Sequence, residues 1–188
     1  ENQSVIVERM ENETRNVAKK VLEAAKARGA QFCEVVVTQN EFALKRIRQG
    51  QVDQPPAGEQ WGIDVAIVKD NRRKTASFEN PLFAERIIGE TMAQMELLPE
   101  QKIYLPKESF PPIAQPETLY DKKTAELNGD HLIDIAKDVH EKLAAHDLFL
   151  SGKISQGKGE IIYENSIGTT QKARFTQACA GFFAFDAK

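Results

Sequence analysis

The sequence has few cysteines, no strong excess of either charge and no long apolar segment. Only Cys33 and Cys179 are present, far apart and outside any Cys-x-x-Cys pattern, so neither a disulfide framework nor a thiolate zinc site is predicted. We expect both thiols to be small buried groups. No run approaches the roughly 20 apolar residues that span a bilayer, and no secretory signal is visible. These absences favour a cytoplasmic protein without a membrane span.

The charge balance argues against a protein built mainly to bind nucleic acid. The 28 acidic residues outnumber the 25 basic ones, for a net charge of −3, whereas nucleic-acid-binding domains usually carry a clear basic excess. The 188 residues are 41% hydrophobic, which is enough for a packed core. This length suits one domain, or one domain with a small appendage.

The first half of the chain predicts a helix followed by a strand meander. After a tail at residues 1–10, helical periodicity runs from Asn12 to Gly29, with Gly29 suited to a left-handed stop. Alternating and β-branched residues then predict strands at 33–38, 42–48, 61–68 and 74–78. We expect turns at 49–51 and 70–71 and a proline loop at 54–58.

The second half predicts two helices, a connector and further strands. Asn80-Pro81 is a strong helix start, and that helix should run to Leu98. Five of the eight prolines fall in 99–119, which predicts an extended connector. Asp130 should cap the third helix, and strands follow at 148–156, 160–165 and 172–185. The order predicts an α+β fold, with a mostly antiparallel sheet and about three helices.

The three histidines do not form a predicted metal site. His140 and His146 are six residues apart on a helix, about 120° around its axis, whereas a His-Glu-x-x-His zinc helix needs a spacing of four. His131 lies near the start of the same helix. No metal ligand and no catalytic set is therefore assigned to them.

The glycine-rich segment 152–159 resembles a phosphate-binding loop only superficially. Gly159 stands where that loop needs Ser or Thr, and a strand follows where a helix is required. We expect a hairpin turn here.

Two basic clusters could form one positive patch if their strands are neighbours. The candidate residues for binding an anionic partner are Lys45, Arg46, Arg48, Arg72 and Arg73. The alternative is a solvated sheet face or hairpin tip, which is the usual fate of short charge runs.

Three groups of residues, in this order, resemble the TldD/PmbA family. They extend from about residue 17 to 186. The groups are the helix ending at Gly29-Ala30 with Glu34-Val35-Val36-Val37 after it, Trp61-Gly62-Ile63-Asp64-Val65-Ala66 with Thr75-Ala76-Ser77, and Tyr163-Glu164-Asn165-Ser166-Ile167-Gly168 leading to Phe175.

The resemblance implies that residues 11–188 are the amino-terminal α/β domain of such a protein, with a strand-rich carboxyl-terminal domain outside this chain. Peptidase members of the family carry a His-Glu-x-x-x-His zinc motif beyond this region, where zinc activates a water for attack on a peptide carbonyl. Members work as homo- or hetero-dimers. They are linked to peptide-antibiotic maturation and toxin–antitoxin turnover, and older names call them modulators of DNA gyrase.

The zinc motif is absent from this sequence. The resemblance therefore assigns no catalytic, cofactor-binding or metal residue to the chain, and zinc is expected only in a full-length parent or its partner. We expect a scaffold that helps to enclose a peptide substrate for proteolysis. The alternatives are a non-enzymatic adaptor that binds an anionic partner through the basic patch, and a structural domain whose exposed sheet edge pairs with the remainder of its own protein.

Overall fold

The computed structural model describes residues 3–49, 51–53 and 57–186. Short 3-10 helices occur at Pro81–Phe83 and Glu117–Leu119. The main elements are α1 (Gln3–Ala27), β1 (Phe32–Arg48), β2 (Gln51–Asp53), β3 (Gly58–Lys69), β4 (Arg72–Phe78), α2 (Ala84–Met95), α3 (Lys122–Glu126), α4 (Gly129–Ala144), β5 (Leu148–Asn165) and β6 (Thr170–Asp186).

The strands form one sheet in the order β4-β3-β1-β5-β6, with β2 paired to β1. The β1–β2 and β3–β4 pairs are antiparallel. The predicted α+β class with a mostly antiparallel sheet is therefore confirmed, although the described residues form four α-helices where about three were expected.

The β3–β4 hairpin is the best-predicted part of the sheet. Asp70 and Asn71 have φ values of 48° and 56°, the left-handed conformation that a two-residue hairpin turn requires at both positions. The turn pairs Lys69 with Arg72, and the same register places Asp64 opposite Ser77. Side chains on paired residues therefore share a face of the sheet.

The chain divides into two compact units. The first unit comprises Glu1–Gln39, Trp61–Pro116 and Glu160–Arg174, and the second comprises Asn40–Gln60, Glu117–Gly159 and Phe175–Lys188. The division has a physical basis, because two separate hydrophobic clusters exist and each contains residues of one unit only.

In the first unit, α1 and α2 pack on one face of the strands. Val35 and Val37 of β1 are fully buried there, whereas Glu34 before them and Val36 between them have the opposite orientation. The core also contains Ala18, Val21, Ala25, Ile63, Ile67, Ile88 and Met95. Burying side chains of this kind stabilises the folded state by about 25 cal/mol per Å² of apolar surface.

In the second unit, α4 packs against the sheet. Leu132 and Ala136 of α4 are buried against Ile47 of β1 and Leu150 and Ile154 of β5. Val139 and Leu143 of the same helix also pack against this cluster.

The helices differ from the prediction at several places, and α2 ends at Met95 where a helix up to Leu98 was expected. The first helix begins at Gln3, inside the expected tail 1–10, because no proline or glycine before Gly29 ends the helix. Asn128, not Asp130, caps α4, and its side chain accepts hydrogen bonds from the backbone of Asp130 and His131. The short helix α3 was not predicted, and Asp121 caps it.

The hairpin predicted at 152–159 is wrong, because this segment lies inside the continuous strand β5. Its glycines permit close packing instead of a turn: Gly157 is buried beside the Asn40 side chain. Likewise, the strands predicted at 33–38 and 42–48 form the single strand β1. Cys33 is buried as expected, whereas Cys179 is exposed. The proline loop at 54–58 lies largely outside the described residues.

Gly152 and Gly181 provide a matched test of the β5–β6 packing. Gly152 has a φ of 152°, and a Cβ there would clash with the Gly181 carbonyl and the Phe182 Cα, whereas nothing lies within 4 Å of a Cβ at Gly181. We predict that Gly152→Ala lowers the free energy of unfolding by at least about 1–3 kcal/mol. Gly181→Ala should change it by no more than about 0.5 kcal/mol. Urea denaturation of both variants measures the difference, and equal effects would contradict this packing.

Candidate functional site

The face of the first unit's sheet opposite α1 and α2, here called the open face, carries a group of polar side chains. Glu34 lies on β1, Asp64 on β3, Arg73 and Ser77 on β4, and Tyr163 on β5. Strand alternation puts them there: Asp64 is exposed between the buried Ile63 and Val65. All five line one cavity of about 350 Å³.

Glu34 is the centre of this group. One of its carboxylate oxygens accepts a hydrogen bond from the Arg73 guanidinium at 3.3 Å, and the other accepts one from the Tyr163 hydroxyl at 3.1 Å. The Asn165 side-chain amide donates to the Tyr163 oxygen at 3.2 Å. Burial raises the pKa of Tyr163 and Glu34 raises it further, whereas the Asn165 hydrogen bond opposes this. In the ion pair between Glu34 and Arg73, the two opposite charges offset each other.

Asp64 has a different environment in the same cavity. Its carboxylate accepts a hydrogen bond from the Ser77 hydroxyl. No ion pair involves Asp64 within the part of the chain that the structure describes. With the Glu34–Arg73 pair neutral, the cavity carries one uncompensated negative charge at Asp64.

A second cavity, of about 320 Å³, adjoins the first, and more than half of the residues that line it have apolar side chains. Four residues line both cavities: Glu34, Ala66, Arg73 and Tyr163. The rest of the second cavity is lined by Phe32, Val68, Ile103, Tyr104, Leu105, Pro106, Phe110 and Asn165. According to the residue types that predominate in their walls, the first is here called the polar cavity and the second the apolar cavity.

The predicted proline-rich connector forms one wall of the apolar cavity and is irregular, as expected, up to the 3-10 helix at its end. Its first part is held by Arg72, whose Nε donates to the Leu98 carbonyl at 2.8 Å. Its later part is held by the beginning of β6 and the residue before it: Thr169 Oγ1 accepts a hydrogen bond from the Phe110 N–H, and Gln171 Oε1 accepts one from the Ile113 N–H.

The turn between β5 and β6 fixes the position of Tyr163 beside Glu34. Asn165 Oδ1 accepts hydrogen bonds from the backbone of Ile167 and Thr169. The Ser166 N–H donates to the Cys33 carbonyl at 2.8 Å, and the Cys33 N–H donates to Ser166 Oγ at 3.1 Å. This double contact ties the end of β5 to the beginning of β1.

The five residues of the predicted basic patch are divided between the two units. Lys45, Arg46 and Arg48 belong to the second unit, and Arg72 and Arg73 to the first. Both arginines of the first unit are engaged: Arg72 pairs with Glu100 and Arg73 with Glu34. Binding of an anionic partner by these residues stays a prediction.

The histidines do not fit a zinc site. His131 Nδ1 accepts a hydrogen bond from the Asn128 N–H in the cap of α4, and His146 follows the same helix. Over the described ranges, no three His, Cys, Asp or Glu side chains lie close enough together to hold a metal ion. In the same ranges, no helix is long and apolar enough to cross a membrane.

The sequence analysis did not identify Glu34, Asp64, Ser77 or Tyr163 as site residues. The usable signal was a single carboxylate inside an otherwise apolar strand, which occurs at Glu34 before Val35 and at Asp64 between Ile63 and Val65. Alternation predicts that such residues share the face opposite the core.

The raised pKa of Tyr163 gives a prediction with a definite sign. The protonated phenol is favoured in the folded state, so its contribution to stability is present below pH 10.0, the ordinary pKa, and is lost as pH rises through the folded pKa. Phenolate absorbance, compared between the wild type and Tyr163→Phe, should show a phenol titrating above 10.0. Tyr104→Phe, at a side chain that is 80% exposed, is the control. A Tyr163 midpoint at or below 10.0 would contradict the proposed environment.

Comparison with known proteins gives matches by structure only. No protein-family model and no curated protein sequence matches this chain. A candidate modulator of DNA gyrase from Bacteroides thetaiotaomicron is similar with a TM-score of 0.71 and 20% identity, over 88% of this chain and 39% of that one. A second candidate modulator, from Thermotoga maritima, gives a TM-score of 0.63 and 14% identity, over 90% and 42%.

TldE from Thermococcus kodakarensis is also similar, with a TM-score of 0.67 and 12% identity over 89% of this chain and 42% of TldE. The chain thus spans about two fifths of the length of each of these structures. These three likenesses cover nearly all of the described chain and agree with the resemblance seen in the sequence. The protein therefore has a TldD/PmbA-like fold.

Proposed function

We propose that this chain is the scaffold and peptide-enclosing part of a TldD/PmbA-like metallopeptidase component that acts in proteolysis and peptide maturation. The observation that carries the proposal is the open face, where a polar and an apolar cavity of about 350 and 320 Å³ adjoin each other. The TldD/PmbA-like fold supports the same assignment.

The two cavities suit an extended peptide. In an extended chain, alternate side chains project to the same side at intervals of about 7 Å. Two such side chains could enter the adjacent cavities while the intervening residue faces away. Glu34, Arg73 and Tyr163 lie between the cavities and offer hydrogen-bonding groups where the peptide backbone would cross.

The proposal separates binding from hydrolysis. This chain binds and orients the peptide, whereas zinc and the water that it activates belong to another part of the parent protein or to a dimer partner of the same family. His131, His140 and His146 take no part in the reaction.

The test is to mix the 188-residue chain with a fluorescent, unstructured peptide. Fluorescence anisotropy should show saturable binding, mass spectrometry should show no cleavage by this chain, and metal analysis should show no stoichiometric zinc. Absence of binding, cleavage by the chain alone, or one bound zinc per chain would each contradict the proposal.

A matched pair of variants localises the binding. Thr75 lies on β4 and lines the polar cavity, so Thr75→Phe should fill it and still suit a strand. We predict that Thr75→Phe weakens peptide binding about tenfold, which is roughly 1.4 kcal/mol. Gln177→Phe, at an exposed position of β6, is the control and should leave the affinity unchanged. Equal effects of the two substitutions would show that the peptide binds elsewhere.

A further inference from the structure

The charged side chains in the polar cavity differ in whether they already have an oppositely charged partner. Glu34 and Arg73 face each other at 3.3 Å, so each already has an oppositely charged partner. Asp64 lines the same cavity and has no such partner among the residues that the structure describes. A ligand entering this cavity meets a net negative charge at Asp64.

The groups around Asp64 are hydrogen-bond acceptors as well as donors. Ser77 is directly opposite Asp64 across the β3–β4 pair, and Thr75 is two residues before it on the same face. Their hydroxyl oxygens can accept hydrogen bonds from an ammonium or guanidinium group, which only donates. An anionic ligand is attracted less strongly here, because Glu34 already offsets the charge of the Arg73 guanidinium.

We propose that the polar cavity binds the side chain of a basic residue, lysine or arginine, in the peptide, with Asp64 as its ionic contact. This inference rests on the proposed function and adds a sequence preference to it. The apolar stem of a lysine would lie along Val36 and Ala66, which line the cavity, and its ammonium group would reach Asp64, Ser77 and Thr75.

Asp64 and Asp70 form a matched pair for testing this proposal. Asp64→Asn removes the charge but retains an oxygen that can accept the Ser77 hydrogen bond. Asp70→Asn removes the same charge at the β3–β4 turn, where the φ of 48° suits asparagine. Both variants should have the unfolding midpoint of the wild type. Any difference between them in peptide affinity therefore reports the position of the charge.

The experiment compares two unstructured peptides that differ at one position, lysine in one and the isosteric, uncharged norleucine in the other. Binding of each to the full 188-residue chain and its two variants is measured by fluorescence anisotropy. The wild type and Asp70→Asn should favour the lysine peptide by about fivefold, a size typical of a solvent-accessible ion pair. Asp64→Asn should bind the two peptides equally, and high salt should reduce the wild-type preference.

Three results would overturn the inference, and they are distinguishable. Equal binding of both peptides by the wild type would remove the basic subsite and leave peptide binding in place. Absence of binding to either peptide would remove the subsite and the proposed function together. A lysine preference that persists in Asp64→Asn would assign the ionic contact to another residue.

Discussion

The open face depends on one carboxylate, that of Glu34. Glu34 lies on β1, and its carboxylate accepts hydrogen bonds from Arg73 on β4 and from Tyr163 on β5. In the order β4-β3-β1-β5, Arg73 therefore crosses over β3 to reach it. A partly exposed ion pair of this kind contributes no more than about 1 kcal/mol. Its main effect is on shape, because the linked side chains divide the open face into two cavities.

The placement of Glu34 depends in turn on backbone contacts at the end of β5. The two hydrogen bonds between Ser166 and Cys33 fix the alignment of β1 with β5. A shift of one residue in either strand would carry Glu34 or Tyr163 to the helix-covered face. The Asn165-Ser166 turn, noted in the sequence as part of a family resemblance, thus has a structural role in forming the site.

Features encoded by neighbouring residues were predictable, and features that depend on distant partners were not. The Asp70-Asn71 turn, the Asn80 cap and the proline-rich connector follow from local conformational preferences. Gly152 and Gly157 indicated a turn when considered alone, but they lie in a strand because other backbone and side-chain groups approach them closely. Similarly, Glu34 and Arg73 are 39 residues apart, and no sequence pattern shows that they meet. The candidate site could therefore be inferred only after strand order and register were known.

The proline-rich wall of the apolar cavity has a consequence for conformational entropy. Each proline restricts the backbone of the unfolded chain, so a proline-rich segment loses less entropy on folding than an ordinary segment of equal length. Proline also lacks an N–H group and cannot take part fully in a strand ladder. Thr169, Gln171 and Arg72 form only a few hydrogen bonds with the connector. These bonds have to offset only the connector's reduced loss of conformational entropy. In this way the connector can form an ordered wall of the apolar cavity without regular secondary structure. The wall does not have to be an additional strand of the sheet.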